Sequence, residues 1–124
     1  MNYLLTLAYN GEAFHGWQRQ ENAVTVQQTV EEAVEKLFLE KTSVNGCSRT
    51  DTGVHANCFK CNFHTQKQIA EKNVVSGLNF FLPDTVSCLS CETVQENFHA
   101  RFDCKSKEYI YRIYNAEVRN PFYE

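Results

Sequence analysis

Residues 25–40 read TVQQTVEEAVEKLFLE, and this stretch indicates the fold because short β-prone runs lie on both sides of it. Its apolar residues recur every three or four positions, the spacing of an amphipathic helix. Those residues are Val26, Val30, Ala33, Val34, Leu37 and Phe38. Thr25 with Gln28 three residues later matches a capping box at a helix start. We therefore predict a helix over about residues 25–40.

The flanking runs have the composition of β-strands. Residues 3–9, YLLTLAY, end at Asn10-Gly11, a dipeptide common in tight turns. After the helix, Asn45-Gly46 interrupts a second β-prone stretch, and residues 54–64 then alternate apolar with polar side chains. The region around the helix is therefore predicted to form three strands.

The remaining segments complete a recurring order of elements. A weaker helix is predicted near residues 69–79, before Pro83, and strands over residues 85–91 and 107–114. Right-handed crossovers would assemble βαββαβ into an α+β fold of the ferredoxin-like or RRM-like type. We expect an antiparallel or mixed sheet with both helices on one face. The other face then needs a cover, whether a ligand, RNA or further protein.

Length and composition limit the classes of protein. The chain has 124 residues, 43% apolar and 22% charged, which fits one folded domain over residues 1–124 and excludes a disordered chain. No apolar run approaches the length of a membrane span and no signal peptide is recognisable, so we expect a cytoplasmic protein with no membrane partner. The net charge of −3 is concentrated in residues 31–40, whose glutamates we interpret as a solvated helix face.

Three polar segments could carry chemistry. Residues 47–56, CSRTDTGVHA, place Asp51 between an arginine and a glycine turn, where a carboxylate can act as nucleophile or base, although capping of backbone N–H groups is the more common role. Residues 16–20, GWQRQ, hold the only tryptophan, which suits either base stacking or closure of the core edge. Residues 98–103, FHARFD, interleave basic and aromatic groups, as RNA contacts or equally as a β-bulge or edge strand.

Two CxxC pairs raise the alternative of a structural zinc ribbon. Such a site would use Cys58, Cys61, Cys88 and Cys91. Both pairs lie in predicted strands without turn residues, and residues three apart on a strand point to opposite faces. We therefore expect free thiols and no metal.

Taken together, these motifs resemble the tRNA pseudouridine synthase A family. The resemblance is carried by GWQRQ at 16–20, RTDTGVH at 49–55, FHARF at 98–102 and the YIYRIYN run at 109–115, with Asn79 and Leu82-Pro83-Asp84 between them. It covers about residues 3–123 and makes the chain look like the N-terminal half of a two-domain enzyme, with the C-terminal domain absent. On that basis we expect these 124 residues alone to be inactive or nearly so.

The resemblance implies a cofactor-free isomerisation of uridine to pseudouridine in the anticodon stem-loop of tRNA. Asp51 would be the nucleophile, Arg49 would help displace the target base, and Tyr109 would stack on the uracil. The residues expected to contact RNA are Trp17, Arg19, His55, His99, Arg101, Lys105 and Lys107. The sequence leaves the oligomeric state open, with a homodimer among the options. A non-catalytic RRM-like RNA-binding module, in which Asp51 is only a turn residue, remains the alternative.

Overall fold

The computed structural model describes residues 1–21, 23–48 and 55–103. The elements are β1 (Asn2–Tyr9), α1 (Val26–Phe38), β2 (Val44–Gly46), β3 (Ala56–His64), α2 (Glu71–Phe81) and β4 (Val86–Val94). A short 3-10 helix, Gly11–Ala13, follows β1, and residues 100–103 are helical. The predicted βαββαβ order is confirmed. The predicted strand at residues 107–114 lies outside the described residues.

The four strands form one antiparallel sheet in the order β2-β3-β1-β4. This order places β1 and β3 in the middle, as in the ferredoxin-like arrangement predicted from the sequence. Leu5 of β1 lies opposite Cys61 of β3 and Cys91 of β4, so these three side chains share one face. We call this the helix face of the sheet, and the opposite one the open face.

Helix α1 begins and ends close to its predicted limits. The Thr25 side chain accepts a hydrogen bond from the Gln28 N–H (3.3 Å), whereas the Gln28 side chain donates to Glu32, so the predicted capping box is a single cap. Leu39 has φ of 58°, and this left-handed conformation ends the helix at Phe38. The helix is therefore two residues shorter than predicted at its C-terminal end.

An aromatic cluster joins α1 to the helix face. The rings of Tyr3, Phe38 and Phe63 are fully buried and lie with centroids 5.3 to 5.8 Å apart. The Tyr3 hydroxyl donates to the Ile69 carbonyl (2.7 Å) and accepts from the Ile69 N–H (2.8 Å), which fixes the entry to α2. Burial of the three rings, with pairing worth about 0.5 to 1.5 kcal/mol beyond burial, anchors the fold here.

No helix in the described ranges is long and apolar enough to span a bilayer.

Strand β4 contains a bulge that corrects one argument made from the sequence. Thr6 pairs with Ser90 and Leu7 with Cys88, so Leu89 is an extra residue between them. The bulge reverses the alternation, and Cys88 and Cys91 therefore both reach the helix face and are buried. The expectation that residues three apart point to opposite faces is wrong for this pair.

The cysteines are unsuited to a shared metal site for a different reason. Strand β1 lies between β3 and β4, so the two pairs stand two strand spacings apart, about 10 Å. Burial raises the pKa of Cys88 to about 11 and of Cys91 to about 12, which opposes the thiolate form that metals bind. Among the described residues, no three His, Cys, Asp or Glu side chains are placed to hold a metal ion. A zinc ribbon is not favoured.

Helix α2 covers the outer edge of β4 with two side chains. The Asn79 amide accepts from the Cys88 N–H (2.7 Å) and donates to the Cys88 carbonyl (2.9 Å). A Glu71 carboxylate oxygen accepts from the Thr93 N–H (2.8 Å). These contacts satisfy backbone groups that an edge strand would otherwise leave to water. Asn79 thus has a structural role next to the bulge.

Candidate nucleic-acid interface

A groove of about 340 Å³ lies beside the edge strand β2. Three separate parts of the chain line it: the GWQRQ segment with the start of α1, the end of β2, and the helical turn after β4. Its lining residues are Trp17, Gln18, Gln27, Val44, Asn45, Gly46, Ser48, His99, Arg101 and Phe102. The structure therefore brings two of the three sequence motifs together at one site.

Only the two ends of the third motif are described. Ser48 lines the groove, and residues 49–54, which include Arg49 and Asp51, follow it in the sequence but lie outside the described residues. Tyr109, Lys105 and Lys107 also lie outside them. His55, where the description resumes, is exposed, and its Nδ1 accepts a hydrogen bond from the Gly11 N–H (3.0 Å). That bond ties His55 to the turn after β1.

Trp17 occupies the inner wall of the groove. It is only 3% exposed and its ring lies 4.5 Å from that of Phe59. At that exposure neither face of the ring is open for a base to stack on. The position therefore matches the second of the two roles considered for Trp17, closure of the core edge. Trp17 is nevertheless one of the residues that line the groove.

The basic and aromatic turn after β4 forms the outer wall. Residues 100–103 are helical, so the expectation that this segment is a bulge or edge strand is wrong. The His99 and Phe102 rings lie 4.7 Å apart, and Phe102 is 71% exposed. Within the described ranges, no carboxylate lies within ion-pairing distance of the half-buried Arg101. As far as the described residues show, the wall thus offers a cation without a carboxylate partner beside a ring pair of which Phe102 is exposed.

Arg19 is not among the residues that line the groove. Its Nε and Nη2 both donate to Oε1 of Glu31, at 3.0 and 2.8 Å. The second Glu31 oxygen accepts from the Val44 N–H (2.9 Å) and from the Gln27 amide (3.3 Å). Glu31 therefore anchors β2 to α1, unlike the solvated glutamate that helical spacing predicted.

The site residues predicted from the sequence do not include Gln27 or Asn45, two of the amide side chains that line this groove. Gln27 accepts from the Arg19 N–H (2.8 Å) and donates to the Val44 carbonyl (2.9 Å), which joins the GWQRQ segment to β2. Asn45 and Gln18 add further amide groups to the lining. Gln27 follows Val26 in the predicted helix start, but its long-range partners on β2 leave no local sequence signal.

A second depression, which we call the trough, lies on the other side of the helical turn, and it suits a nucleic acid less well than the groove does. That trough, about 720 Å³, is lined by Glu92 and Asp103 with no basic side chain among its lining residues. Carboxylates repel phosphate, whereas guanidinium, amide and aromatic groups bind phosphate, base edges and base faces. We therefore take the groove beside β2 as the candidate interface.

Comparison with known proteins gives a consistent result. A sequence model of the family described as tRNA pseudouridine synthase matches residues 6–103. The chain is 46% identical over 121 residues to tRNA pseudouridine synthase A of Aquifex aeolicus, covering 98% of this chain and 50% of that protein. It is 47% identical over 118 residues to the protein of the same name from Clostridium acetobutylicum, covering 95% of this chain and 48% of the relative. For tRNA pseudouridine synthase A 2 of Bacillus anthracis the identity is 42% over 122 residues, 98% and 50% of the two chains.

The chain spans about half the length of these relatives. The family match nevertheless runs from residue 6, within β1, to residue 103, at the end of the helical turn that carries Arg101. With the ferredoxin-like sheet and the groove that gathers the motif residues, the comparison establishes that the chain belongs to the tRNA pseudouridine synthase family.

Proposed function

We propose that this chain contributes the nucleophile and one RNA-binding wall of a tRNA pseudouridine synthase. The reaction would isomerise uridine to pseudouridine in the anticodon stem-loop of tRNA, with no cofactor. The proposal rests on family membership together with one observation, the groove in which the GWQRQ and FHARF segments meet beside Ser48. The segment that carries Asp51 begins at that point in the sequence.

The proposed chemistry uses an ionised carboxylate at position 51. The carboxylate either adds to the uracil ring or assists cleavage of the glycosidic bond, after which the base turns and rejoins the ribose through carbon. The bond between C1′ and N1 breaks, a bond between C1′ and C5 forms, and any bond to the carboxylate breaks again. The proton on C5 is released to solvent while N1 takes up a proton, so the product is an isomer of the substrate. We propose that Arg49 helps to displace the base and that Tyr109 stacks on it. Extrusion of a base costs a few kcal/mol, which such contacts offset.

The groove would hold the RNA backbone and neighbouring bases. Arg101 supplies a cation for a phosphate, and the His99–Phe102 ring pair supplies a stacking surface. Arg19, His55, Lys105 and Lys107 remain predicted RNA contacts. Outside residues 31–40 the charges of the chain sum to zero, so this half alone should bind tRNA weakly.

Release of tritium from tRNA labelled at C5 of uridine tests the reaction. The chain is assayed alone and as a chimera in which it replaces the matching half of the Aquifex aeolicus relative. Asp51→Asn should abolish tritium release and leave tRNA binding within a few fold, because the amide keeps the shape of the side chain and loses the nucleophile. Glu35→Gln, the same chemical change on the exposed face of α1, should leave turnover unchanged.

Turnover retained by Asp51→Asn would rule out the nucleophile assignment. A chimera that folds and binds tRNA yet releases no tritium would instead favour a non-catalytic RNA-binding module. The cytoplasmic location and a homodimer stay predictions, the latter checked by sedimentation of the purified chain.

A further inference from the structure

Two asparagines are fully buried in the sheet near its open face. Asn2 on β1 and Asn62 on β3 are both 0% exposed. A buried amide without hydrogen-bond partners is strongly unfavourable, so such residues are stable only where partners are fixed around them. The Asn62 Nδ2 donates to Oδ1 of Asn2 (2.9 Å), which links the two side chains across the sheet.

The other partners of this amide pair all belong to the segment after β4. Asn2 Nδ2 donates to the carbonyls of Gln95 (2.7 Å) and Phe98 (3.0 Å). Asn62 Oδ1 accepts from the Ala100 N–H (2.7 Å). The segment that covers this part of the open face is therefore attached to the sheet by the amide pair.

The bond to Ala100 is made at the first helical position of the turn that carries Arg101. The first N–H groups of a helix have no partner within it. Here Asn62 satisfies the N–H of Ala100, and the His99 Nδ1 accepts from the N–H of Arg101 (3.2 Å). Asp103 Oδ2 in turn accepts from the N–H of His99 (2.7 Å). The start of the turn is thus fixed from the sheet side by Asn62 and from the solvent side by Asp103.

The orientation of a helical side chain follows from the placement of its first turn. Ala100 is fully buried and immediately precedes Arg101, whose side chain lines the groove. We propose that Asn62, supported by Asn2, is a positioning residue that holds Arg101 and His99 in the groove for contact with an RNA phosphate. This inference rests on the proposed function for the identity of the ligand.

A double-mutant cycle on tRNA binding tests the inference. A plot of log affinity against log salt concentration falls with a slope that becomes shallower by about 0.7 to 0.9 when one phosphate contact is lost. Over a tenfold range of salt, the affinity of such a variant therefore falls about fivefold to eightfold less than that of the unmodified chain. Arg101→Ala should show this loss. Asn62→Leu, which removes both hydrogen-bonding groups, should show a comparable loss, and the double variant should stay within twofold of Arg101→Ala. A purely structural role for Asn62 would make the two losses add.

Thr65→Val is the matched control. Thr65 is 5% exposed, and its hydroxyl donates to Glu40 and accepts from the Lys67 N–H, so none of these partners lies in residues 95–103. The variant removes a buried hydroxyl directly after β3 and leaves the contacts of residues 95–103 unchanged. Its tRNA affinity should stay within twofold of the unmodified chain.

Hydrogen exchange of the Ala100 amide gives a readout that does not depend on RNA. This amide should exchange slowly in the unmodified chain and at least tenfold faster in Asn62→Leu, while amides in the centre of β1 keep their protection. Unchanged protection of Ala100 would overturn the positioning role, whatever the binding data show.

If Asn62→Leu does not fold, substitution of Asp103 tests the same turn, because it removes the hydrogen bond to the His99 N–H on the solvent side. Asp103→Ala should weaken tRNA binding although it removes a negative charge, and Asp103→Asn, which keeps an acceptor for the His99 N–H, should not. Stronger binding by Asp103→Ala would contradict the inference. Absence of tRNA binding by the unmodified chain would overturn both the proposed function and the RNA role of Asn62, whereas binding with an additive cycle would overturn only the latter.

Discussion

Gly46 sits where the floor of the groove meets the aromatic core, and Gly46→Ala should destabilise the protein. A methyl group added at Gly46 would lie 2.5 Å from Nε1 and 2.6 Å from Cε2 of Trp17, and 3.0 Å from Cζ of Phe59. Real contacts of this kind lie at 3.4 to 4 Å. The indole must therefore shift by roughly an ångström, and it is packed against Phe59 with only 3% of its surface exposed.

The expected change in the free energy of unfolding follows from two opposing effects. Overpacking of a well-filled core costs about 1 to 3 kcal/mol. Alanine also restricts the unfolded chain relative to glycine, which offsets about 0.4 to 1 kcal/mol. The midpoints of the two ranges give a net destabilisation of about 1.3 kcal/mol. Because Trp17 and Gly46 both line the groove, the displaced indole should also weaken tRNA binding.

Urea unfolding followed by tryptophan fluorescence measures this directly, since Trp17 is the only tryptophan. Gly77→Ala is the matched control. Its added methyl group would meet Cδ1 of Leu37 at 2.6 Å, the far end of a flexible and partly buried side chain, while helix propensity improves by about 0.8 to 1 kcal/mol. Gly77→Ala should therefore be neutral or stabilising. Equal stability of Gly46→Ala and the unmodified chain, with unchanged emission, would refute the reasoning.

Four further outcomes are expected, each measured by urea unfolding. Glu31→Ala leaves the Val44 N–H without its partner and should lower the free energy of unfolding by about 1 to 3 kcal/mol. Arg19→Ala removes a half-exposed ion pair and should lower it by less than about 1 kcal/mol. Equal losses would contradict the anchoring role of Glu31. Asn79→Ala removes two hydrogen bonds to Cys88 and should cost about 1 to 2 kcal/mol, with Asn73→Ala on the exposed side of α2 as the control. Leu39→Gly should be neutral or stabilising by up to about 1 kcal/mol, because Leu39 is 78% exposed at φ of 58°; clear destabilisation would argue against that conformation. Burial raises the pKa of Cys88 in the folded protein to about 11 and that of Cys91 to about 12, so these thiols ionise at lower pH in the unfolded chain. The free energy of unfolding should therefore fall above pH 9 towards pH 12, by up to about 1.4 kcal/mol per pH unit per thiol. Cys88→Ala should show a shallower fall, and a pH profile identical to that of the unmodified chain would refute the raised pKa of Cys88.

Local patterns predicted the elements of this fold, while features created by strand pairing were missed. The spacing of Val26, Val30 and Phe38 identified α1, and alternation along residues 54–64 identified β3 as a strand. The bulge at Leu89 depends on how β4 pairs with β1, so the faces of Cys88 and Cys91 could not be read from spacing within β4 alone.

The candidate site was predictable to the extent that its motifs carry their own chemistry. Arg101 and His99 were singled out from the basic and aromatic pattern of residues 98–103, and both line the groove, while their contact with RNA stays a prediction. The helical turn that presents them is stabilised by Asn62, which lies 38 residues before Ala100, so short-range pattern could not distinguish it from a strand. Glu31 looked like surface charge because its partner Val44 lies 13 residues away on β2.

The side chains of Asn79 and Glu71 also govern how the molecule can associate with copies of itself. They occupy the outward amide and carbonyl of Cys88 and the outward amide of Thr93, which a strand annealing to β4 would need. Growth of the sheet by strand addition, the first step of many fibrillar deposits, is therefore blocked on that side. Among the described strands the other edge of the sheet is β2, whose three residues are too short a run to nucleate a fibre.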